Sequence, residues 1–220
     1  MQTHKGLNQL PNFKNAVLTI GTYDGVHFGH QQIIKRINDI AHKINGESVM
    51  LTFDPHPRLV LNPDDDKLKL ISTIDEKEEL LEKFGLNHLV IAEFSKEFAS
   101  MEAEEYVEKV LINNFHPKCI VIGYDHRFGK DRKGDIELLR KLAAKYQYTL
   151  EEIPAQTLDE ISVSSTKVRN ALLDGDIKHA NQFLAHPFTI KGKVVHGDKI
   201  GRILGFPTAN IEISNPHKLI

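Results

Sequence analysis

The 220-residue chain has a single cysteine, so no disulfide can form within it. Cys119 sits in the apolar run Lys118-Cys119-Ile120-Val121-Ile122 and is expected to be a small core residue of a buried strand. Without a cysteine cluster, zinc is not expected either. No apolar run approaches the ~20 residues of a membrane-spanning helix, and Met1-Gln2-Thr3-His4-Lys5 has no signal-peptide core. These absences point to a cytoplasmic protein with no membrane partner. An excess of one charge is lacking too. The 28 Lys+Arg against 30 Asp+Glu give a net charge of −2, which argues against a nucleic-acid partner held by bulk electrostatics. There are no internal repeats and no low-complexity segment. What remains is an ordinary globular composition, 40 % hydrophobic and 26 % charged, enough for a packed core. It leaves the oligomeric state open.

The most informative stretch is Gly21-Thr22-Tyr23-Asp24-Gly25-Val26-His27-Phe28-Gly29-His30. It follows the apolar run Ala16–Ile20 and leads into an amphipathic pattern, Gln31 to Ile44, so it reads as strand, glycine-rich turn and helix N-terminus. A helix N-terminus offers unpaired N–H groups and a partial positive charge, which suit a phosphate. Glycines let the backbone approach that phosphate, and two imidazoles can donate hydrogen bonds to its oxygens.

Strands are predicted at 16–20, 48–53, 88–92, 118–122 and 149–153, with helices between them. Ile33, Ile34, Ile37, Ile40, Ala41 and Ile44 give the first helix one apolar stripe. Thr73-Ile74-Asp75-Glu76 is a capping box opening a second helix, and residues 102–114 and 135–146 supply two more. This alternation implies a parallel sheet covered on both faces, with ligands at the carboxyl ends of its strands. Beyond residue 162 the texture changes. Ser164–Arg169 opens a helix, Asp176–Leu184 suggests a short one, and Gly192–Ile211 reads as the first hairpin of a β domain. From Pro187 only 34 residues remain, too few for an independent domain, so the chain is expected to be truncated. The predicted division is a nucleotide-binding domain over 1–185 and an incomplete β domain over 186–220.

Four separated segments together resemble the bacterial bifunctional riboflavin kinase/FAD synthetase family. They are Gly21–His30, similar to that family's form of the nucleotidyltransferase histidine signature, Thr52-Phe53-Asp54-Pro55-His56-Pro57, Gly123-Tyr124-Asp125-His126-Arg127-Phe128-Gly129, and Ser164-Ser165-Thr166-Lys167-Val168-Arg169. A fifth, Gly201-Arg202-Ile203-Leu204-Gly205-Phe206-Pro207-Thr208-Ala209-Asn210, looks like the start of the riboflavin kinase module. The resemblance implies a Rossmann-like α/β nucleotidyltransferase domain of the HUP type, followed by the incomplete start of a β-barrel. Its reaction would be adenylyl transfer from Mg-ATP to FMN, giving FAD and pyrophosphate. The intact parent would also phosphorylate riboflavin.

On that resemblance His27, His30 and Arg169 are the expected catalytic residues. Gly21, Thr22, Tyr23, Asp24, Gly25, Gly29, Ser164, Ser165 and Thr166 would hold ATP. Asp54, Pro55, His56, Pro57, Tyr124, Asp125, Arg127 and Phe128 are candidates for the flavin, Arg127 for its phosphate and Asp125 for Mg2+ or a ribityl hydroxyl. Thr208 and Asn210 would help hold Mg-ATP in the kinase module. Two departures stand out: Tyr23 replaces the usual phenylalanine, and so does His126. The residues alone leave open an adenylyltransferase for another phosphorylated substrate, or a flavin- or nucleotide-binding regulatory module without turnover.

Overall fold

Five apolar runs assemble as expected, and a sixth strand joins them. The computed structural model describes residues 1–64, 68–154, 163–198 and 200–220. Its main sheet has β1 (Gln2–Lys5), β2 (Val17–Ile20), β3 (Ser48–Asp54), β4 (His88–Glu93), β5 (Cys119–Gly123) and β6 (Thr149–Ile153), in the order β1-β4-β3-β2-β5-β6. Every pairing in it is parallel. β1 is absent from the sequence prediction. It is a polar edge strand that joins through its backbone, with Gln2 N–H donating to Asn87 O and Gly6 N–H to Ile91 O, both at 2.8 Å, so it carries no apolar alternation to read.

The central strands are buried on both faces. Leu18, Val49, Leu51, Val90 and Ile120 pack one way, against residues of the helix over 103–115 and of helix Ile136–Tyr146. Val17, Met50, Leu89, Cys119 and Val121 pack the other way, against Ile33, Ile34 and Ile37 of helix Phe28–Lys43 and against Leu81 of helix Ile74–Lys83. Cys119 is thus a buried free thiol, as expected. Period-two alternation along each strand divides the two cores. The helix over 103–115 has a π-helical segment, Tyr106–Ile112, at its centre.

After β2 the chain moves outward through β3 to β4, then returns to lay β5 against the other side of β2. The carboxyl ends of β2 and β5 therefore flank the switch point of the sheet, where open α/β sheets bind ligands. Gly21–His30 and Gly123–Gly129 both start there.

The rim at that point is held by one carboxylate. Asp24 is buried, and its Oδ1 accepts from the N–H groups of Ile71 and Ser72, both at 3.0 Å. Its Oδ2 accepts from Arg169 Nη2 at 2.8 Å, while Arg169 Nε donates to Lys69 O at 2.6 Å. Ser165 Oγ donates to Asp24 O, and Gly25 N–H donates to Ser72 Oγ. The turn after β2, segment 69–72 and helix Ser165–Leu173 are joined by these bonds.

Residues 193–212 form the predicted hairpin, β7 (Lys193–Val195) against β8 (Asn210–Glu212), with an unpredicted helical turn, Ile200–Ile203, between the strands. The residues beyond it return to the main body. Leu70 N–H donates to His217 O, and Leu219 N–H to Leu70 O. Lys218, 3 % exposed, donates to Ile71 O and Thr189 O and pairs with buried Glu76 at 2.8 Å.

Replacing Asp24 leaves the Arg169 guanidinium buried without its carboxylate. Asp24→Ala is expected to lower the unfolding free energy by about 3–5 kcal/mol, the scale of a broken buried pair. Urea denaturation of the two proteins measures it, and a difference below about 1 kcal/mol would count against the clamp.

Candidate active site

The turn after β2 is strained, and the strain sets its shape. Tyr23 and Val26 have left-handed backbone, with φ 48° and 42°, and Gly25 between them has φ 78°. A Cβ on Gly25 would come within 2.7 Å of Ile71, so this position needs glycine on both counts. The turn delivers His27 as the N-cap of helix Phe28–Lys43, with His30 in its first turn. The two rings stack at a centroid distance of 3.6 Å, and Tyr23 lies 4.8 Å from His30 on its other side. Tyr23 OH lies 2.6 Å from Thr19 Oγ1. The hydroxyl that distinguishes it from phenylalanine thus has a buried partner.

His27 Nδ1 accepts from His30 N–H, which in the neutral ring places the proton on Nε2. Burial lowers the His27 pKa to about 4 against an opposing pull from Asp24. Burial, then the charges of His27 and Lys77, hold His30 well below the usual imidazole range. Both rings are therefore neutral at pH 7, each with one N–H to donate. His30 Nδ1 is buried with no partner among the described residues, an unsatisfied group that a ligand or water would satisfy.

A cavity of about 1140 Å³ opens over these residues. Gly21, Thr22, Tyr23, Asp24, His27, Gly29 and His30 line it, and so do Ser164, Ser165, Thr166 and Arg169 beside them. Two helix N-termini thus meet at one end, an arrangement suited to a chain of phosphates. Within this set three side chains already have partners in the fold. Ser164 Oγ caps its helix by accepting from Lys167 N–H, Ser165 Oγ is bonded to Asp24 O, and Arg169 is committed through Nε and Nη2 to Lys69 and Asp24. These side chains build the wall first, because the buried Asp24 carboxylate needs a cation. Ser164 and Thr166 are the exposed hydroxyls of the motif. Gly25 is turned away from this cavity and lines a smaller one of about 240 Å³ behind the turn.

The other end is aromatic. Phe53, Phe94, Phe98, Tyr106, Phe128 and His126 form a continuous series with successive ring centroids 5.4–5.8 Å apart, of which all but Phe53 line the cavity. His126 thus keeps a flat ring in the place of the usual phenylalanine. Burial lowers its pKa to about 4, so it is an uncharged ring at neutral pH. His56, Pro57, Tyr124, Asp125, Arg127 and Phe128 all line the cavity. His56 caps helix Pro57–Leu61, accepting at Nδ1 from Arg58 N–H. Arg127 is paired with Asp135 at 2.9 Å, which ties it to the start of helix Ile136–Tyr146.

Asp54, Pro55, Thr208 and Asn210 are not among the cavity's lining residues. Asp54 and Pro55 are exposed where β3 ends, and Asn210 pairs with Val195 in the hairpin. Phe94, Phe98, Tyr106, Asp131 and Arg132 line the cavity without having been picked out in the sequence. Phe94 and Phe98 follow the end of β4. The rule that ligands sit at strand carboxyl ends, applied to that strand too, would have found them.

A family model described as FAD synthetase matches residues 9–167, and one described as riboflavin kinase matches residues 184–220. The chain is 37 % identical over 215 residues to the bifunctional riboflavin kinase/FMN adenylyltransferase of Buchnera aphidicola from Acyrthosiphon pisum, covering 97 % of this chain and 68 % of that protein. The corresponding values are 36 %, 92 % and 64 % for the protein of the same name from Listeria monocytogenes, and 35 %, 94 % and 66 % for that from Escherichia coli K12. The chain thus spans about two thirds of the length of these relatives. A crystal structure of a Streptococcus pneumoniae protein, named there a macrolide-efflux protein, superposes with a TM-score of 0.81 at 31 % identity, covering 97 % of this chain and 69 % of that one. With the strained histidine turn, the doubly capped cavity and a family match running through both, the chain belongs to the FAD synthetase family.

Proposed function

We propose that the chain transfers the adenylyl group of ATP to FMN. One observation carries this: a single cavity has two helix N-termini and two neutral imidazoles at one end and the rings of Phe94, Phe98, Tyr106, His126 and Phe128 at the other. The first end fits a triphosphate, and the second offers flat apolar surface to an isoalloxazine ring.

In this reaction an oxygen of the FMN phosphate attacks the α-phosphorus of ATP, the Pα–O bond to the β-phosphate breaks, and pyrophosphate leaves. The attacking phosphate is already anionic, so no general base is required. The residues then have to align the two phosphates in line and stabilise the charge that develops on the transferred group. His27 Nε2–H and the N–H of His30 donate to its oxygens. The first turn of helix Ser165–Leu173, with Thr166, receives the departing pyrophosphate, and Arg169 keeps that turn in place through Asp24. Arg127 faces the FMN phosphate end.

Magnesium, held chiefly by the nucleotide's own oxygens, would neutralise the triphosphate. The donor set fits this mode. Asp24 is committed to Arg169, and among the described residues no three His, Cys, Asp or Glu side chains cluster as a metal cage; of the remaining carboxylates that line the cavity, Asp125 and Asp131, we take Asp125 as the candidate. In a protein of the relatives' length we assign riboflavin phosphorylation to the module that begins near residue 184, with Thr208 and Asn210 on its Mg-ATP.

Incubation with Mg-ATP and either FMN or riboflavin, followed by separation of the flavins, tests the proposal. FAD from FMN, with no FMN from riboflavin, is expected of this 220-residue chain. ATP turnover only with another phosphorylated acceptor would overturn the choice of substrate. His27→Ala and His30→Ala are each expected to lower FAD formation at least ~10²-fold, the scale of one lost donor to a developing charge.

The neutral imidazoles also give the fold an acid-sensitive side. The folded chain holds His27 at about 4, against 6.5 for an unperturbed histidine. The stability this contributes is complete above pH 6.5. It declines as the pH falls toward 4, because the unfolded chain takes up the proton first. The slope for this group is at most about 1.4 kcal/mol per pH unit. Denaturation midpoints measured between pH 7 and 4.5 are expected to fall less steeply in His27→Gln than in the wild type.

A further inference from the structure

Lys77 takes no part in the chemistry above, yet its setting is unusual in two ways. It stands in the first turn of helix Ile74–Lys83, four residues after the Thr73 cap, where the helix end disfavours a cation. It is also only 5 % exposed. Its Nζ donates to Thr22 O at 2.6 Å, and among the described residues it has no ion-pair partner. A buried ammonium without a counter-charge is costly, so some other group must supply the negative charge.

The carboxylates around it do not. Asp24 is taken up by Arg169 and two backbone N–H groups. Glu76 is taken up by Lys218 and by the N–H groups of Thr73 and Lys191. Asp54 is exposed at the end of β3. Burial lowers the Lys77 pKa, Asp24 and Asp54 pull it the other way, and neither carboxylate closes on the ammonium. One positive charge therefore stands behind the Thr22 backbone, and Thr22 lines the phosphate end of the cavity. His30 and His56 also feel it, and the charge of Lys77 helps keep both rings unprotonated.

We propose that Lys77 is a positioning residue of the nucleotide site, fixing the Thr22 carbonyl from behind the turn and presenting there the positive charge that the phosphates of a bound nucleotide neutralise. The inference rests on the adenylyl-transfer reading only in taking the anion to be a nucleoside triphosphate.

Lys77→Gln keeps a donor for Thr22 O and removes the charge, whereas Lys77→Arg keeps the charge. Calorimetric titration with Mg-ATP, and with inorganic pyrophosphate as a flavin-free probe, is expected to show binding at least ~10-fold weaker in Lys77→Gln and within ~3-fold of wild type in Lys77→Arg, the scale of one partly screened charge interaction. The ring protons of His30, followed by NMR in the ligand-free protein, are expected to titrate at higher pH in Lys77→Gln. A lysine that is uncharged in the folded protein would not produce that shift. Should Lys77→Gln fail to fold, Lys77→Met carries the same measurements, since an apolar chain of similar length removes the burial cost. Unchanged affinity for both ligands, or an unmoved His30 titration, overturns the proposal. Wild-type protein that binds Mg-ATP and makes no FAD overturns the choice of FMN and leaves the role of Lys77 standing.

Discussion

The site depends on one buried ion pair. Asp24 and Arg169 meet at 2.8 Å with side chains 2 % and 11 % exposed, and the bonds around them join segments more than 140 residues apart. An isolated charge of either sign would be expensive at this depth. Each residue is therefore kept in place by the other, and the backbone groups of Lys69, Ile71 and Ser72 satisfy what remains. The pair also explains how a turn with left-handed Tyr23 and Val26 persists. Backbone strain of this kind costs of order 1–3 kcal/mol per residue and survives only where the surroundings over-determine it. Bonds to a single carboxylate from Arg169 Nη2, from the N–H groups of Ile71 and Ser72 and from Ser72 Oγ do so here.

Much of the fold was legible from hydrophobic periodicity. The five central strands are apolar because a parallel sheet buries both faces, and the amphipathic stripe of Ile33, Ile34 and Ile37 marks the face on which the first helix lies. The strand Gln2–Lys5 was not legible, since its place is decided by backbone pairing to β4 and by the stacking of His4 on His88. Neither leaves a pattern in a polar tetrapeptide. The helical turn Ile200–Ile203 was hidden for a related reason: four residues are too short to show a period.

The site was legible as a set of segments and less so as a set of roles. Motifs at the ends of β2, β3 and β5 and at the helix after residue 164 do converge on one cavity. Residue type alone could not show that Arg169 faces a carboxylate of its own chain, because an arginine suited to a phosphate is equally suited to an aspartate. Nor could it show that Ser164 and Ser165 are already bonded. Lys77 left one usable trace, a basic residue directly after a capping box. Phe94 and Phe98 left another, two aromatics four apart beyond a strand end.

The contact of residues 217–219 with Leu70 has a consequence for how the molecule opens. Leu70 and Ile71 bond to His217, Lys218 and Leu219 on one side, while Lys69, Ile71 and Ser72 bond to Arg169 and Asp24 on the other. Neither set can be released without disturbing the strip they share. The histidine turn near the start of the chain and its last few residues accordingly form one cooperative opening unit. In hydrogen exchange their amides would lose protection together, so that distance along the chain is no guide to which parts breathe in concert.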